Sequence, residues 1–348
     1  MRLSLLRHCI VRTLALALIG CGGGGGGSTQ AEANPGSSTV PTPGFAEGRD
    51  FVLFSNDAWQ SLGRSTIDGE QGELMYRSTS KVPIQMADGG KRFVYFQSTP
   101  GQDDRVTLYD TRSLQALAAQ TVPANSDIVG PVFGDPNAYL VRTFTGTTDN
   151  GTAILVDIGK GTALRAIATG GPRETIKALP DGRLYRVNDD SGRIAIANAS
   201  GQWVSLGSLQ IPAGRKIGTF DISHAGDRIA VYYAFTDNIN VVRGDVWVAN
   251  IDGSNQYRLT NQGEMFTPRW SPDDARIAFQ VNNLSTLAGG GNGGAGVSGN
   301  CSYWHVPATA QNVSGVAPGK AHDVARQILV NADGVKGSRA CHVLAWVR

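Results

Sequence analysis

The sequence has few of the residues and motifs that identify an enzyme or a metalloprotein. It contains only 4 cysteines and 5 histidines, and it has no CxxC pair of the kind that binds zinc. It has neither a GxSxG nucleophile motif nor a GxxxxGK[ST] phosphate-binding loop. The glycines of 289–296 do not join a strand to a helix, as those of a dinucleotide-binding motif do. We therefore assign no catalytic, cofactor-binding or metal-binding residue from the sequence.

The chain also lacks an excess of charge of either sign. Its 31 Lys+Arg and 29 Asp+Glu residues give a formal net charge of +2, and no basic run occurs beyond the first dozen residues. Because phosphate binding needs a clustered basic face, we expect no nucleic-acid partner. With 348 residues, 41% of them hydrophobic, the chain is long enough for one large domain with a substantial core.

The first 20 residues have the features of an export signal. Three arginines precede a short apolar stretch at 13–19, which is too short to span a bilayer as a mature helix. The stretch ends in Leu18-Ile19-Gly20-Cys21, which resembles the lipobox of a bacterial lipoprotein signal peptide. By that resemblance Cys21 is the first mature residue and carries diacylglycerol on its thiol. The alternative is an ordinary signal peptide that contains a cysteine.

Residues 21–48 read as a flexible linker that follows the lipidated cysteine. Six consecutive glycines occupy 22–27, and a stretch rich in Ser, Thr and Pro follows them. A flexible linker of this length has a mean reach of about 30 Å, which could hold a domain away from a membrane. The resemblance to lipoproteins implies an outer-membrane anchor, because Gly22 stands where an aspartate would retain the protein at the inner membrane. The predicted location is the periplasmic face of that membrane.

Two cysteines remain after export and lipidation, Cys301 and Cys341. In an oxidising compartment such a pair favours a disulfide. Two free thiols are the alternative, and a metal site is less favoured because the CxxC spacing is missing.

Tight turns recur at a nearly constant interval through the remaining sequence. Their central positions are 88, 135, 181, 225 and 273, so successive turns are 47, 46, 44 and 48 residues apart. An apolar strand follows each turn: RFVYFQ, AYLVRTF, RLYRV, RIAVYYA and RIAFQV. In the first four periods a second strand ends in Asp or Asn before a Gly- or Ser-containing turn, at Asp110, Asp157, Asn198 and Asn250.

A period of four short antiparallel strands is typical of a β-propeller blade. Helical repeats of similar length are disfavoured by the alternation and the β-branched residues. Five periods leave strands at both ends of the chain, and together these can form one composite blade, with the C-terminal strand innermost. We therefore predict an all-β fold at 49–348, a β-propeller of six four-stranded blades closed by both termini. Seven blades would need a hidden repeat near 46–81.

The fifth period carries a specific repeat motif. The motif is LT-x(n)-PxWSPDDxxIAF, and its central residues are Pro268, Trp270, Ser271, Pro272, Asp273 and Asp274. It resembles the WD-like repeat of TolB-type propellers, and a weaker copy lies at 220–230. The resemblance covers residues 82–281 well. TolB carries an α/β domain before its propeller, and here the glycine-rich linker takes that place. The family's partner contacts beside the pore are therefore not carried over.

Several other residue groups have both a functional and a structural interpretation. Four histidines remain after export, and the acidic pairs 103–104 and 189–190 could bind calcium. Six tryptophans could form a sugar-binding platform. We favour turn and strand positions for the histidines, solvated turns for the acidic pairs and core packing for the tryptophans. We read the glycine-rich segment 283–300 as a mobile loop within the fifth blade.

The sequence favours a lipid-anchored envelope propeller that binds a protein or peptide and does not catalyse a reaction. The rigid loops around a propeller channel suit such docking. The membrane anchor at Cys21 and an envelope partner are the interactions that this interpretation requires. Two alternatives stay open: a hydrolase or lyase that uses the channel mouth, with or without a divalent metal ion, and a carbohydrate- or peptidoglycan-binding module.

Overall fold

The protein is described here from a computed structural model. It describes residues 45–46, 48–55, 61–77, 84–87, 92–97, 103–110, 113, 115–122, 126–132, 135–144, 153–157, 162–163, 174–179, 181–236, 242–282, 301–332, 335–340 and 342–348. All of them belong to one compact unit, Pro35–Arg348. Every regular element in this part of the chain is a β-strand. No helix long and apolar enough to cross a membrane occurs among these residues.

The strands form six antiparallel sheets, which we number as blades 1–6. Blade 1 contains β4 (Ile84–Ala87), β5 (Arg92–Gln97), β6 (Asp104–Asp110) and β7 (Ala116–Val122). Blade 2 contains β8 (Ser126–Val132), β9 (Asp135–Phe144), β10 (Ala153–Asp157) and β11 (Thr162–Ala163). Blade 3 contains β12 (Glu174–Ala178), β13 (Leu184–Asn188), β14 (Arg193–Ala197) and β15 (Trp203–Ser208).

The other three blades complete the set. Blade 4 contains β16 (Lys216–Ile222), β17 (Arg228–Thr236), β18 (Val242–Asn250) and β19 (Tyr257–Arg258). Blade 5 contains β20 (Met265–Trp270), β21 (Arg276–Asn282), β22 (Cys301–Pro307), β23 (Arg326–Ala332) and β24 (Val335–Arg339). Blade 6 contains β25 (His342–Val347), β1 (Phe51–Ser55), β2 (Ser61–Thr66) and β3 (Gly72–Arg77), in that order.

Side-chain caps explain why the strands end where they do. The Asn198 carboxamide oxygen accepts hydrogen bonds from the backbone N–H groups of Ser200 (3.1 Å) and Gln202 (2.8 Å). The Asp110 carboxylate accepts one from the N–H of Ser113 (2.7 Å). Asn and Asp form such turns because their short side chains replace a backbone partner. Asn198 and Asp110 are two of the four Asp and Asn residues that the sequence analysis places at the ends of strands.

The first strands of the blades surround a central axis. Contacts join β25 to β4, β4 to β8, β8 to β12, β16 to β20, and β20 back to β25. Each of these strands has a hydrogen-bonded neighbour in its sheet on one side only, so its other edge faces the axis. The architecture is that of a six-bladed β-propeller, which confirms the predicted fold.

Blade 6 joins the two ends of the chain. The C-terminal strand β25 pairs with β1, and Phe51 lies opposite Val347. The innermost strand therefore comes from the C-terminus and the three outer strands from the N-terminal part, as the sequence predicts. This closure pairs the inner edge of β1, which would otherwise be open to strand addition.

The packed part of the chain begins before the predicted domain boundary at residue 49. Phe45 and Ala46, within the predicted linker, are buried in a hydrophobic cluster with Phe51, Leu53 and Leu62. The Phe45 ring packs edge-on against Phe51, with 5.5 Å between ring centroids. Two apolar residues in a stretch rich in glycine and proline have no periodic pattern, so the sequence gives no sign of this contact.

Blade 5 differs from the others in two ways. It has a fifth strand, β24, which the four-strand repeat does not predict. The glycine-rich segment 283–300 lies between its second and third strands, at the predicted place, although its residues are outside those described. The pairing of Asn282 with Cys301 brings the two ends of the segment together.

Candidate functional site

The repeat motif of blade 5 forms a self-capped turn between β20 and β21. The Ser271 hydroxyl donates to the Asp273 carboxylate (2.6 Å), which also accepts from the N–H of Ala275 (3.1 Å). The Ser271 hydroxyl in turn accepts from the N–H of Arg276 (2.9 Å). Asp274 has a φ of +55°, in the left-handed region that Asp tolerates better than most residues. These motif residues therefore shape the turn.

Asp274 also joins blade 5 to the equivalent turn of blade 4. Its carboxylate accepts hydrogen bonds from the N–H of His224 (2.7 Å) and the N–H of Ala225 (2.8 Å), and its Oδ1 lies 3.1 Å from His224 Nδ1. Burial would lower the pKa of His224, but the hydrogen bond and the charge of Asp274 raise it above its ordinary value. The same bonds outweigh burial and lower the pKa of Asp274. The two side chains therefore form a polar clamp between neighbouring blades.

Trp270 makes a second connection between these blades. Its backbone N–H donates to the Asp221 carboxylate (3.0 Å), and its indole N–H donates to the Asp221 carbonyl (3.2 Å). The Trp270 side chain is 1% exposed, and the Arg228 guanidinium lies over its ring at 4.6 Å from the centroid. In the described part of the protein the motif residues thus act in packing and in connecting blades.

Comparison of the innermost strands identifies a position, at a fixed distance before each turn, that is charged in three of the blades. The residue four places before the central turn position is Lys177 in blade 3 (181 − 4), Asp221 in blade 4 (225 − 4) and Arg269 in blade 5 (273 − 4). In blades 1 and 2 the same position holds Ile84 and Pro131, which carry no charge. We call Lys177, Asp221 and Arg269 the channel triad.

The three residues of the channel triad lie on the innermost strands of blades 3, 4 and 5, next to the axis of the ring. Lys177 lies within electrostatic range of both Asp221 and Arg269. Blades 3 and 5 are separated by blade 4, which contacts both of them. Charges from these two blades can therefore interact only if the side chains reach toward the axis. All three residues remain partly accessible, as side chains that line an internal channel do.

Two members of the channel triad hold the ring together, and the third does not. Asp221 accepts from the N–H of Trp270, as described above. Arg269 donates from Nε to the carbonyl of Leu344 on β25 (3.2 Å), and so connects blade 5 to blade 6. The Lys177 ammonium has no hydrogen-bond or ion-pair partner among the described residues. Burial, followed by the nearby Arg269 charge, lowers the pKa of Lys177 to about 8, so the group is still mostly protonated at pH 7.

The three histidines with described side-chain contacts have structural roles. His305 is buried and stacks at a tilt on Trp346, and burial and two nearby arginines lower its pKa to about 4. The ring of His322 bonds the Ser314 carbonyl and accepts from two backbone N–H groups of its own loop. His224 belongs to the clamp. No group of three or more His, Cys, Asp or Glu residues that could hold a metal ion occurs in the described ranges.

Three of the six tryptophans lie in the core, as the structural interpretation expects. Trp270, Trp304 and Trp346 are each 1–2% exposed. Trp203 is half-buried on the outermost strand of blade 3, where the Arg186 guanidinium lies 4.8 Å from its ring centroid. Trp247 packs edge-on against Tyr233 at 6.0 Å. Trp59 lies outside the described residues.

The two cysteines are placed only in part. Cys301 is buried at 8% exposure and begins β22, as predicted. Cys341 lies outside the described residues, next to the closing strand β25, and Cys21 is also outside them. Residues near both cysteines, Tyr303 and Val343, share one core cluster. The lipidation of Cys21 and the pairing of Cys301 with Cys341 stay predictions.

Comparison with known proteins finds likeness in structure only. No family model matches the sequence, and no curated protein matches it. TolB from Acinetobacter baumannii is similar over 78% of this chain and 66% of its own, at 18% identity and a TM-score of 0.47. Oligogalacturonate lyase from Vibrio parahaemolyticus is similar over 73% and 74%, at 11% identity and a TM-score of 0.45. The chain spans slightly less than two thirds of the TolB chain, and these similarities place it in no family.

Proposed function

We propose that this chain is a lipid-anchored β-propeller of the cell envelope that acts as a non-catalytic protein-binding module. The anchor is Cys21, and residues 22–44 connect it to the packed ring that includes Phe45. The Gly22 position favours the periplasmic face of the outer membrane. These parts of the proposal rest on the sequence.

The observation that carries the binding role is the difference among the three charges of the channel triad. Asp221 and Arg269 each donate or accept across a blade boundary, so their geometry is fixed. Lys177 lies beside them as a partly accessible residue, and these contacts do not involve its ammonium. Two side chains of fixed geometry beside a charge that their contacts do not involve form a surface suited to ligand binding. Little side-chain entropy is lost when a ligand binds to such a surface.

The described histidines support binding over proton transfer. A general acid or base must be able to reach a reacting group and to exchange its proton there. His305 is buried against Trp346, and both ring nitrogens of His322 are engaged within its own loop. His224 is held by Asp274 at a blade boundary. These residues stabilise the ring that presents the binding surface.

The experiment is crosslinking in intact cells, followed by affinity capture, mass spectrometry and reconstitution of the complex from purified components. We expect one envelope protein to be captured reproducibly by the wild-type chain and to bind the purified protein directly. The Cys21→Ala variant is the control. It should leave the membrane fraction, lose the crosslink and still bind the purified partner.

Two results would contradict the proposal. Membrane retention of Cys21→Ala would show that another segment provides the anchor. Failure of every captured protein to bind the purified chain would reject the protein-binding role. Metal analysis with activity assays, and sedimentation with purified cell wall, would then test the enzymatic and carbohydrate-binding alternatives.

A further inference from the structure

The Lys177 ammonium, which has no hydrogen-bond or ion-pair partner among the described residues, has a defined surrounding. It extends from the innermost strand of blade 3 toward two charges of opposite sign on blades 4 and 5. Its backbone is fixed by the register of β12 with β13, in which Lys177 lies opposite Tyr185. Tyr185 is 2% exposed, so the backbone of Lys177 is paired with a well-packed part of the blade.

The charges of the channel triad do not cancel. Two cations and one carboxylate give the triad itself a net charge of +1. The Asp221 carboxylate already accepts from the N–H of Trp270. Arg269 uses two of its five N–H donors, toward the carbonyls of Leu344 and Pro268. Within the described part of the chain, the ammonium and the remaining guanidinium N–H groups therefore make no hydrogen bond to a carboxylate.

We propose that the channel triad is a binding subsite for a single carboxylate group, held by the Lys177 ammonium and the spare donors of Arg269. A carboxylate supplies one negative charge and two acceptor oxygens, which matches the net charge of +1 and donors from two side chains. A phosphate dianion would leave a surplus negative charge next to Asp221. The subsite rests on the proposed binding function and specifies the chemistry of its ligand.

Two sources could supply the carboxylate: a free small acid, or an acidic side chain or chain end of a polypeptide. Both have the same chemistry at the triad, and they differ in what surrounds the carboxylate. The probes are therefore sodium acetate, a triglutamate peptide blocked at both ends, its triglutamine counterpart and inorganic phosphate. Each is titrated calorimetrically into the full-length protein in detergent, at pH 7 and constant ionic strength.

In the wild-type protein we expect triglutamate to bind about tenfold or more tightly than triglutamine, the ratio that one hydrogen bond to a charged group provides. In Lys177→Met this ratio should fall toward one. Lys336→Met, which removes the same charge from the exposed outermost strand β24, should keep the wild-type ratio. Lys177→Arg should restore part of the ratio, because it returns the charge with a different geometry.

The pattern of probes separates the two sources. Acetate binding that depends on Lys177 assigns the subsite to small acids as well as peptides, whereas binding of triglutamate alone assigns it to a carboxylate carried by a polypeptide. Equal binding of triglutamate and triglutamine would overturn the proposal, as would an unchanged ratio in Lys177→Met. A preference for phosphate over acetate would overturn the assignment to carboxylate.

The test is independent of the search for a protein partner. If a purified partner binds wild type and Lys177→Met equally, the subsite is rejected and the protein-binding function stands. If no partner exists but acetate binding depends on Lys177, the protein-binding function is rejected and the subsite stands. Replacing a buried charge by an apolar side chain is often neutral or stabilising, so we expect Lys177→Met to melt at or above the wild-type temperature. Such a melting temperature shows that any loss of binding in the variant is not caused by unfolding.

Discussion

The carboxylate of Asp274 accepts two backbone N–H groups from the turn of the neighbouring blade. Its own turn is capped separately by Asp273, so the two acidic residues of one motif have different partners. Asp274, together with Trp270, therefore orients blade 5 against blade 4.

Asp274→Ala should lower the free energy of unfolding by about 1.5–3 kcal/mol, because it leaves two N–H groups of the His224 turn without their charged acceptor. Asp274→Asn should cost less, since asparagine keeps an acceptor oxygen and tolerates the positive φ. Urea denaturation measures both values. Asp323→Ala, which removes an exposed carboxylate in a loop, is the matched control. Equal stabilities of Asp274→Ala and the control would contradict the clamp.

The partner of Asp274, His224, should make stability depend on pH in a predictable direction. Its pKa is raised in the folded protein, so its contribution is complete below the unfolded pKa, about 6.5, and is lost as the pH rises through the folded value. The pKa of Asp274 is lowered, so the carboxylate contributes above about 3.9 and its contribution is lost as the pH falls through the folded value. Between these limits the clamp is strongest.

The measurement compares wild type with His224→Gln by urea denaturation at pH 5.5 and pH 8.5. The difference in stability between the two proteins should be larger at pH 5.5. A difference that is equal at both values, or larger at pH 8.5, would show that the protonated histidine does not stabilise the clamp. Because the comparison is between proteins at one pH, the other titrating groups largely cancel.

At the scale of elements, the connection between β21 and β22 should tolerate a large deletion. Asn282 and Cys301 are paired, so the strands need only a short link. Removal of 287–299 leaves five residues, 283–286 and 300, which is within the usual length of a hairpin loop. The shortened protein should keep the wild-type circular dichroism spectrum and a cooperative thermal transition. Loss of the β-sheet spectrum would mean that the deleted residues are needed for folding.

The predicted disulfide would act between blade 5 and the closing strand. Tyr303, two residues after Cys301, donates its hydroxyl to the carbonyl of Thr267 (2.9 Å) and lies near that of Val343 (3.5 Å). Burial raises the pKa of Tyr303 to about 12, so this hydroxyl stays protonated and able to donate. The strand that begins at Cys301 is therefore already held against the segment that follows Cys341.

Cys301→Ser should lower the free energy of unfolding by about 3–4 kcal/mol under oxidising conditions, as expected for a closed loop of roughly 40 residues. Thermal and urea denaturation of both proteins, with and without a reductant, measure the effect. Reduction should bring the wild-type protein down to the stability of the variant. An unchanged melting temperature in the oxidised variant would show that no stabilising disulfide forms at Cys301.

For the whole molecule, the sequence predicted most of the ring but not the site at its axis. The spacing of turns placed strands such as RIAFQV, and the unpaired strands at both ends predicted blade 6. The channel triad could not be read in this way, because Lys177 and Arg269 come from blades that meet only when the ring closes. The aligned turns do contain these charged residues, four places before each central turn residue. A charge at one position of a repeat does not indicate a site, however, until the structure shows that the position faces the axis.

Closure of the ring depends on packing between blade 5 and blade 6, and Trp346 is central to it. Its ring is 2% exposed in a cluster that also contains Val52, Ala278 and Tyr303, and its indole N–H lies 3.3 Å from the Asp50 carboxylate. Trp346→Ala should therefore lower the free energy of unfolding by about 3–5 kcal/mol. Trp203→Ala, on the outermost strand of blade 3, should cost only about 0.5–1 kcal/mol for its contact with Arg186. Urea denaturation of the two variants separates these expectations. Similar losses in both would mean that the ring has no special dependence on its closing blade, and that the strands of blade 6 add stability only in proportion to the surface they bury.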